Sequence, residues 1–345
     1  MQATSPKVTF LLTFAFPLRD YLHMPPSLKI VFMGTGEIAL PTLRALIEAT
    51  GPLDLVGVYT QPDKRVGRKQ LITPPAIKIL AEEAGIPVFQ PESLRNDEAA
   101  LATFQGLECD LAIVMAYGQL LPLSVIKAPK IACVNLHASL LPRHRGASPI
   151  QAAIRDGDTE SGITLMHIVP KLDAGDMILK KTIPIEPTDT GGILHEKLAD
   201  LGPGLISDAM PLFEKGKLDA QPQSEDLVTY SGKLEREHGA LDWTKPAAEI
   251  VRLIRAYDPW PGTYTYLATE SGSKKLKIYP QSVVLDHMDA PAGAVVTAGK
   301  ELIIACGKGA LKLDGDLQLE GRKRLDLASF LNGNAIQEGM ILGTT

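Results

Sequence analysis

Short apolar runs alternate with amphipathic stretches over the first two thirds of the chain, and this alternation predicts strands and helices in turn. Candidate strands cover 28–33, 53–59, 86–89, 110–115, 130–136, 163–169 and 177–183. Between them, 38–49, 76–84 and 97–105 are apolar at i, i+3 and i+4, the period of a helix. Repeated strand–helix–strand order predicts an α/β, Rossmann-like domain: a largely parallel sheet with helices on both faces.

The pattern changes in the last third of the chain. A helix over 192–215 is expected to close the first domain, and the polar, proline-bearing stretch 218–226 is predicted to be a linker. One helix at 247–257 is followed by short strands at 263–267, 276–279, 293–297, 302–305 and 311–313. Short strands separated by Gly, Asp and Ser turns predict a smaller β-barrel, OB-like in class. The expected domains are therefore 28–217 and 227–345.

The first 27 residues are predicted to be an extension outside both domains. An apolar stretch at 8–16 is too short to span a bilayer, and no small-residue cleavage site follows it. Met24 stands just before the first strand and would be a natural start. We therefore expect no membrane attachment and a cytoplasmic protein.

Composition sets broad limits on function. A chain of 345 residues with 45% hydrophobic content can build two cores. The net charge of −5 means that any contact with nucleic acid must come from local clusters of Lys and Arg. Cys109, Cys133 and Cys306 are scattered in apolar runs, so neither a disulfide framework nor a zinc site is indicated.

A glycine-rich turn follows the first predicted strand. Gly34, Gly36 and Ala39 have the spacing of a dinucleotide-binding fingerprint, which would indicate a dehydrogenase. The second strand, however, ends in Tyr59-Thr60-Gln61-Pro62, without the acidic residue that would bind a ribose. A tight strand-to-helix turn is therefore the favoured interpretation.

Three polar residues could support acyl transfer. Asn135 and His137 lie on one side of a predicted strand at its carboxyl end, where both could donate hydrogen bonds to an oxyanion. Asp173 lies in a loop between two strands and could keep His137 protonated and relay a proton. Taken alone, the pair equally fits capping groups, and for Asp173 the residue pattern slightly favours a role in shaping a turn. No metal is expected, because the histidines lack a third ligand.

A basic loop follows the second strand. Lys64, Arg65, Arg68 and Lys69 place four cations within six residues, which fits either a phosphate contact or a solvated loop. The second domain adds two further basic clusters, at 274–277 and 322–324.

Two long strings give this pattern a more specific meaning. Residues 134–151, VNLHASLLPRHRGASPIQ, and residues 162–178, GITLMHIVPKLDAGDMI, resemble the signature motifs of the folate-dependent formyltransferases, most closely those that act on methionyl-tRNA. The resemblance extends over about 28–333, and 258–261 resembles a motif of that family's C-terminal domain. The basic loop is slightly shorter than the family's, and His144 stands where an aromatic residue is more usual.

The resemblance implies a reaction and its residues. The formyl group of 10-formyltetrahydrofolate would be transferred to the α-amino group of initiator methionyl-tRNA by a monomer without a metal. The implied catalytic residues are Asn135, His137 and Asp173; the folate-contacting loop is Ser139, Leu140, Leu141 and Pro142; and the tRNA-contacting residues are Lys64, Arg65, Arg68 and Lys69.

Alternatives remain at this point. The acceptor could be glycinamide ribonucleotide or an amino-sugar nucleotide, although the C-terminal domain and the basic loop disfavour the first. The same site could also hydrolyse the formyl donor. From another class, the chain could be a non-catalytic RNA-binding module with an α/β scaffold.

Overall fold

The computed structural model describes residues 27–343, apart from positions 52, 68, 217, 271 and 287. The predicted extension lies outside the described residues except for position 27, as do the possible start at Met24 and Arg68.

The N-terminal domain is built around a seven-stranded sheet. The strands of the whole domain are β1 (Leu28–Gly34), β2 (Leu53–Tyr59), β3 (Lys64–Val66), β4 (Leu71–Thr73), β5 (Val88–Phe89), β6 (Leu111–Met115), β7 (Ala132–His137), β8 (Arg145–Gly146), β9 (Glu160–His167) and β10 (Met177–Pro184). Sheet order is β10-β9-β7-β6-β1-β2-β5, with β3 and β4 in a separate hairpin. The five neighbouring strands β5, β2, β1, β6 and β7 are parallel, and β9 is antiparallel to both β7 and β10. The predicted largely parallel sheet is confirmed.

Helices cover both faces of this sheet. They are α1 (Leu40–Glu48), α2 (Ala76–Glu83), α3 (Glu98–Gly106), α4 (Leu123–Ile126), α5 (Pro149–Asp156), α6 (Gly191–Ala199) and α7 (Leu201–Glu214). In β1, Ile30 and Phe32 contribute to one hydrophobic cluster while Val31 and Met33 contribute to another. This two-residue alternation gives the sheet an apolar surface on each side, so each side requires a layer of helices.

The strand order creates a crevice at one edge of the sheet. From β1 the chain builds outward through β2 and β5, then returns to the other side of β1 with β6 and β7. Ligands of open α/β sheets bind beyond the carboxyl ends of the strands, near such a reversal. His137, the last residue of β7, lies at this edge.

The helix predicted over 192–215 is two helices rather than one. α6 ends at Ala199 and α7 begins at Leu201, with Asp200 between them. Pro203 explains the break, because proline is tolerated in the first turn of a helix but disrupts its interior. The prediction of one continuous helix was wrong at this point.

The C-terminal domain consists mainly of antiparallel strands and two α-helices, together with a two-residue strand that pairs in parallel with β8. Its elements are β11 (Tyr230–Ser231), α8 (Ala247–Ala256), β12 (Thr263–Thr269), β13 (Gly272–Ile278), β14 (Ser282–Leu285), β15 (Val295–Thr297), β16 (Leu302–Ala305), β17 (Ala310–Leu313), β18 (Leu317–Leu319) and α9 (Leu327–Gly333). They form the sheets β12-β13-β18 and β14-β17-β16-β15, an OB-like arrangement around a separate core. The sequence did not predict β14, β18 or α9.

The predicted linker 218–226 connects the domains but packs closely on the first. Gln221 exchanges two backbone hydrogen bonds of 2.8 Å with Met177, and Gln223 is buried. The two domains are also in direct contact, since the Arg252 Nε of α8 donates to the Arg155 carbonyl of α5 at 3.1 Å. In the described part of the chain, no helix is long and apolar enough to cross a membrane.

Candidate active site

Strand β7 carries Asn135 and His137 to the carboxyl edge of the sheet. Asn135 pairs with Met166 of β9, and His137 pairs with Thr164. The His137 side chain is buried, whereas Asn135 is partly exposed. Within the described residues, the Asn135 side-chain amide makes no hydrogen bond. This amide is therefore available to an incoming ligand.

The backbone carbonyl of His144 fixes the imidazole of His137. It lies 2.9 Å from His137 Nε2, and because a carbonyl only accepts, Nε2 carries a proton and donates it. Nδ1 therefore faces Asp173, whose Oδ2 lies 3.7 Å away. That distance is too long for a hydrogen bond, but it allows an ion pair when the ring is protonated.

Asp173 lies in the loop between β9 and β10. Its φ of 47° places it in the left-handed region, and its Oδ2 accepts a 2.8 Å hydrogen bond from the Gly146 backbone N–H. Two glycines make this approach possible. A Cβ on Gly175 would come within 1.8 Å of the His167 carbonyl oxygen, and one on Gly146 within 2.3 Å of the Ser231 carbonyl oxygen. The loop can therefore hold this carboxylate beside His137 only with glycine at both positions.

The loop predicted to contact folate is folded onto Thr164 of β9. Thr164 Oγ1 donates to the Ser139 carbonyl at 2.7 Å and accepts from the Leu141 N–H at 3.1 Å, while Ser139 Oγ donates to the Arg143 carbonyl at 2.7 Å. Ser139 and Leu141 are buried, whereas Leu140 and Pro142 are partly exposed. Leu140 and Pro142 are therefore the members of this loop best placed to contact a ligand.

His144 fixes the same loop through contacts with Asp158 and Thr229. Its Nε2 lies 2.6 Å from Asp158 Oδ2, and its backbone N–H donates to Thr229 Oγ1 at 2.8 Å. Burial alone would raise the pKa of Asp158, but hydrogen bonds from His144 and Arg143 outweigh it and lower that pKa. His144 thus presents its carbonyl to His137 from a fixed position.

The glycine-rich turn after β1 is a structural turn. The backbone N–H groups of Thr35 and Gly36 both donate to the Ala116 carbonyl at 3.2 Å, so they are not free to bind a phosphate. Cys133 is also structural, because burial raises the pKa of its thiol to about 12. The structure therefore favours the turn and core interpretations of these residues.

The basic loop forms the β3–β4 hairpin. Lys64 and Arg65 lie on β3 and Lys69 in the turn, all with exposed side chains. At its base Asp63 accepts from Lys78 and Gln90, at 3.1 and 2.8 Å. Since β2 and β7 run parallel in the same sheet, the hairpin begins at the edge where His137 lies.

Two cavities are lined by residues other than Asn135, His137 and Asp173. One of about 330 Å³ is lined by residues that include Leu140, His144 and Asp158. Another of about 510 Å³ lies between α5 and α8. Among the described residues, no group of three His, Cys, Asp or Glu side chains could hold a metal ion.

Sequence reasoning missed the residues that support the site. Thr164, Gly146 and Gln223 were not identified, although Thr164 and Gly146 lie inside the two quoted strings. Thr164 and Gln223 act through buried hydrogen bonds, and Gly146 acts through its backbone N–H. No residue type or spacing signals such contacts in advance.

Both domains match families of known proteins. Residues 28–210 match the formyl transferase family, and residues 233–335 match the formyl transferase C-terminal domain. A relative from Akkermansia muciniphila named methionyl-tRNA formyltransferase is 50% identical over 309 residues, which cover 89% of this chain and 97% of the relative.

Solved structures share the fold at lower identity. WlaRD, a sugar 3N-formyl transferase, has a TM-score of 0.60 at 19% identity, covering 87% of this chain and all of that one. HypX from Aquifex aeolicus in complex with tetrahydrofolic acid has a TM-score of 0.54 at 17% identity; 88% of this chain is covered, but only 46% of HypX. This chain therefore spans about half the length of HypX. From the family matches over both domains, the chain belongs to the formyl transferase family.

Proposed function

We propose that this enzyme transfers the formyl group of 10-formyltetrahydrofolate to the α-amino group of initiator methionyl-tRNA. The observation that carries the proposal is the convergence of Asn135, His137 and Asp173 at the carboxyl edge of the sheet. The acceptor is supported by the 50% identical relative, which is matched over nearly its full length and is named for this activity. Charged tRNA and reduced folate as substrates make a cytoplasmic location part of the proposal.

The reaction is an acyl transfer. The methionine amine attacks the formyl carbon, a C–N bond forms, and the carbonyl oxygen becomes negatively charged in a tetrahedral intermediate. The unpartnered Asn135 amide and the Nδ1–H of protonated His137 donate to that oxygen, since Nε2 is already engaged by His144. Such preorganised donors stabilise the charge that develops in the transition state.

Asp173 has two functions in this scheme. Its carboxylate stabilises the imidazolium of His137 across the 3.7 Å gap, and it accepts the amine proton directly or through water. The bond between the formyl carbon and N10 of the folate then breaks, and N10 takes a proton as tetrahydrofolate leaves. Within this proposal, Leu140 and Pro142 contact the folate, while Ser139 and Leu141 hold the loop in shape.

Two exposed surfaces are suited to the tRNA. Lys64, Arg65 and Lys69 of the hairpin would contact its phosphates, and Arg68 belongs to the same proposed set of tRNA contacts. In the C-terminal domain, Lys275 lies 3.8 Å over the ring of Tyr264, on the face of β12 and β13 that also carries other aromatic and basic side chains. Cations interleaved with aromatic rings are typical of surfaces that bind single-stranded nucleic acid.

One assay tests the function against its alternatives. Purified protein is incubated with 10-formyltetrahydrofolate and methionyl-tRNA, and formylmethionyl-tRNA and tetrahydrofolate are both measured. Parallel reactions contain glycinamide ribonucleotide, an amino-sugar nucleotide or no acceptor. We expect rapid transfer only to the tRNA. Formylation of a nucleotide instead, or release of formate without an acceptor, would replace the proposed function.

A further inference from the structure

The segment that joins the two domains contacts the candidate active site directly. It lies between residue 210, where the formyl transferase match ends, and residue 233, where the C-terminal match begins. We propose that this segment belongs to the catalytic centre, with Gln223 as a positioning residue that holds the Asp173 loop in place. The inference rests on the proposed function only for its kinetic tests.

Gln223 binds the Asp173 loop through both ends of its side chain. Its Nε2 donates to the carbonyls of Asp173 and Gly175, each at 2.8 Å. Its Oε1 accepts a 3.0 Å hydrogen bond from the Nε of Arg145. Gln223 is only 9% exposed and Arg145 is fully buried. A buried amide with both groups satisfied is a rigid connection, because water cannot replace its partners without a rearrangement.

The two carbonyls are the ones that define the loop. Asp173 has a positive φ, and Gly175 packs so tightly against His167 that no side chain fits there. A loop in this conformation turns its carbonyls inward, where they need a donor. Gln223 supplies that donor, and the position of the Asp173 carboxylate follows from it.

The same segment also supports His137, the residue that Asp173 faces, through His144. Thr229 Oγ1 accepts from the backbone N–H of His144, whose carbonyl orients His137. The Thr229 carbonyl accepts from the Arg145 N–H at 2.9 Å, and β11 pairs with β8 in parallel. Residues 223–231 therefore contact both sides of the His137–Asp173 pair, which explains why this stretch packs instead of forming a free linker.

A charged contact adds to this attachment. Glu225 lies 3.3 Å from Arg145 and 3.1 Å from Lys171, which precedes Asp173 in the same loop. Glu225 is largely exposed, so this contact is a minor contribution beside the buried amide.

The test uses the full chain with the substitution Gln223→Glu. Glutamate keeps the side-chain shape and the acceptor for Arg145 but loses both donors to the loop. We expect kcat to fall about 10- to 100-fold, because a displacement of a catalytic group by about 1 Å has effects of this size. The KM values for folate and tRNA should stay close to wild type. Gln105→Glu, the same change on an exposed glutamine of α3, serves as the control.

A second background separates positioning from general loss of stability. If Gln223 acts through Asp173, Gln223→Glu should have little further effect on kcat in an Asp173→Asn enzyme. An equal loss of kcat in both backgrounds, or wild-type kcat in the single variant, would overturn the proposal.

A spectroscopic measurement decides the inference without any substrate. In protein labelled with ¹⁵N-histidine, the ring signal assigned to His137 through a His137→Gln variant should move in Gln223→Glu and not in Gln105→Glu. An unmoved signal would overturn the inference. Absence of transfer by the wild-type enzyme would refute the proposed function alone. Should Gln223→Glu fail to fold, the same signal is followed in Thr229→Val, which removes the acceptor for His144.

Discussion

The orientation of His137 depends on a backbone carbonyl and on a carboxylate far away in the sequence. Its Nε2 is engaged by the His144 carbonyl, so only Nδ1 can act on a substrate. Asp173 approaches that nitrogen from a loop 36 positions further along the chain, held by the Gly146 N–H. Residue type gave each side chain its chemical capacity, and the contacts selected which atom of it can act.

Removal of the proposed catalytic groups should reduce the rate without unfolding the protein. Asp173→Asn keeps an oxygen for the Gly146 N–H but removes the negative charge opposite His137. Asn135→Ala removes an amide that has no partner among the described residues. We expect each to lower kcat/KM about 100-fold or more, as for the loss of an oxyanion donor.

Single-turnover formyl transfer measures this loss, and circular dichroism checks the fold. Asp54→Asn, on an exposed position of β2, is the control and should retain wild-type activity. Wild-type rates in both Asn135→Ala and Asp173→Asn would contradict the assignment.

At the scale of elements, the basic loop is ordered as a hairpin. The two strands are antiparallel: Lys64 pairs with Thr73, Arg65 with Ile72 and Val66 with Leu71. Exposed apolar side chains accompany the cations, since Val66, Leu71 and Ile72 are each more than half exposed. Apolar groups exposed beside cations are typical of an interaction surface.

The hairpin should contribute to tRNA affinity more than to catalysis. We expect Arg65→Ala and Lys69→Ala each to raise the KM for tRNA and to reduce the slope of its salt dependence, because each removes a cation that can contact phosphate. The KM for folate should not change. Lys127→Ala, which changes an exposed lysine just after α4, is the control. A change confined to the folate KM would assign the hairpin a different function.

The contact of Asp158 with Arg143 and His144 should weaken in acid. Because the pKa of Asp158 is lowered in the folded protein, its ion pairs stabilise the fold above the ordinary carboxyl pKa of about 3.9 and lose this effect as the pH falls through the lower folded value. Asp158→Asn should therefore be less stable than wild type at neutral pH, with the difference disappearing in acid. Denaturant unfolding between pH 7 and pH 3 measures it, and a pH-independent difference would contradict the explanation.

On the scale of the whole molecule, the two domains are packed against each other. Leu234, Ala256 and Tyr257, from beyond the connecting segment, belong to the hydrophobic cluster of the first domain. The Gly192 N–H also donates to the Asp258 carbonyl at 2.9 Å. The C-terminal domain is therefore held in a set position relative to the candidate active site.

Gly191→Ala should disturb this packing. Its Cβ would lie 2.3 Å from the Ala256 carbonyl oxygen, so α6 and α8 would have to separate. We expect a loss of about 1–3 kcal/mol, typical of overpacking, together with a lower unfolding temperature by calorimetry. Gly232→Ala, with open space around the added Cβ, is the control and should unfold as wild type does. An unchanged unfolding temperature in Gly191→Ala would show that the close packing is not required.

The sequence by itself determined the class of the fold and the chemistry of the proposed catalytic residues. Continuous apolar runs separated by amphipathic stretches require a sheet covered on both faces, because no other arrangement buries both patterns. The long motifs indicated Asn135, His137 and Asp173 because they resemble the motifs of a formyltransferase family. Formyl transfer needs hydrogen-bond donors and a carboxylate, and these residues can supply both. Only the tertiary structure decided which nitrogen of His137 is free, that 218–226 packs against the Asp173 loop, and that Gln223 holds it. These features depend on hydrogen bonds between residues far apart in the chain, and local residue patterns carry no record of such pairings.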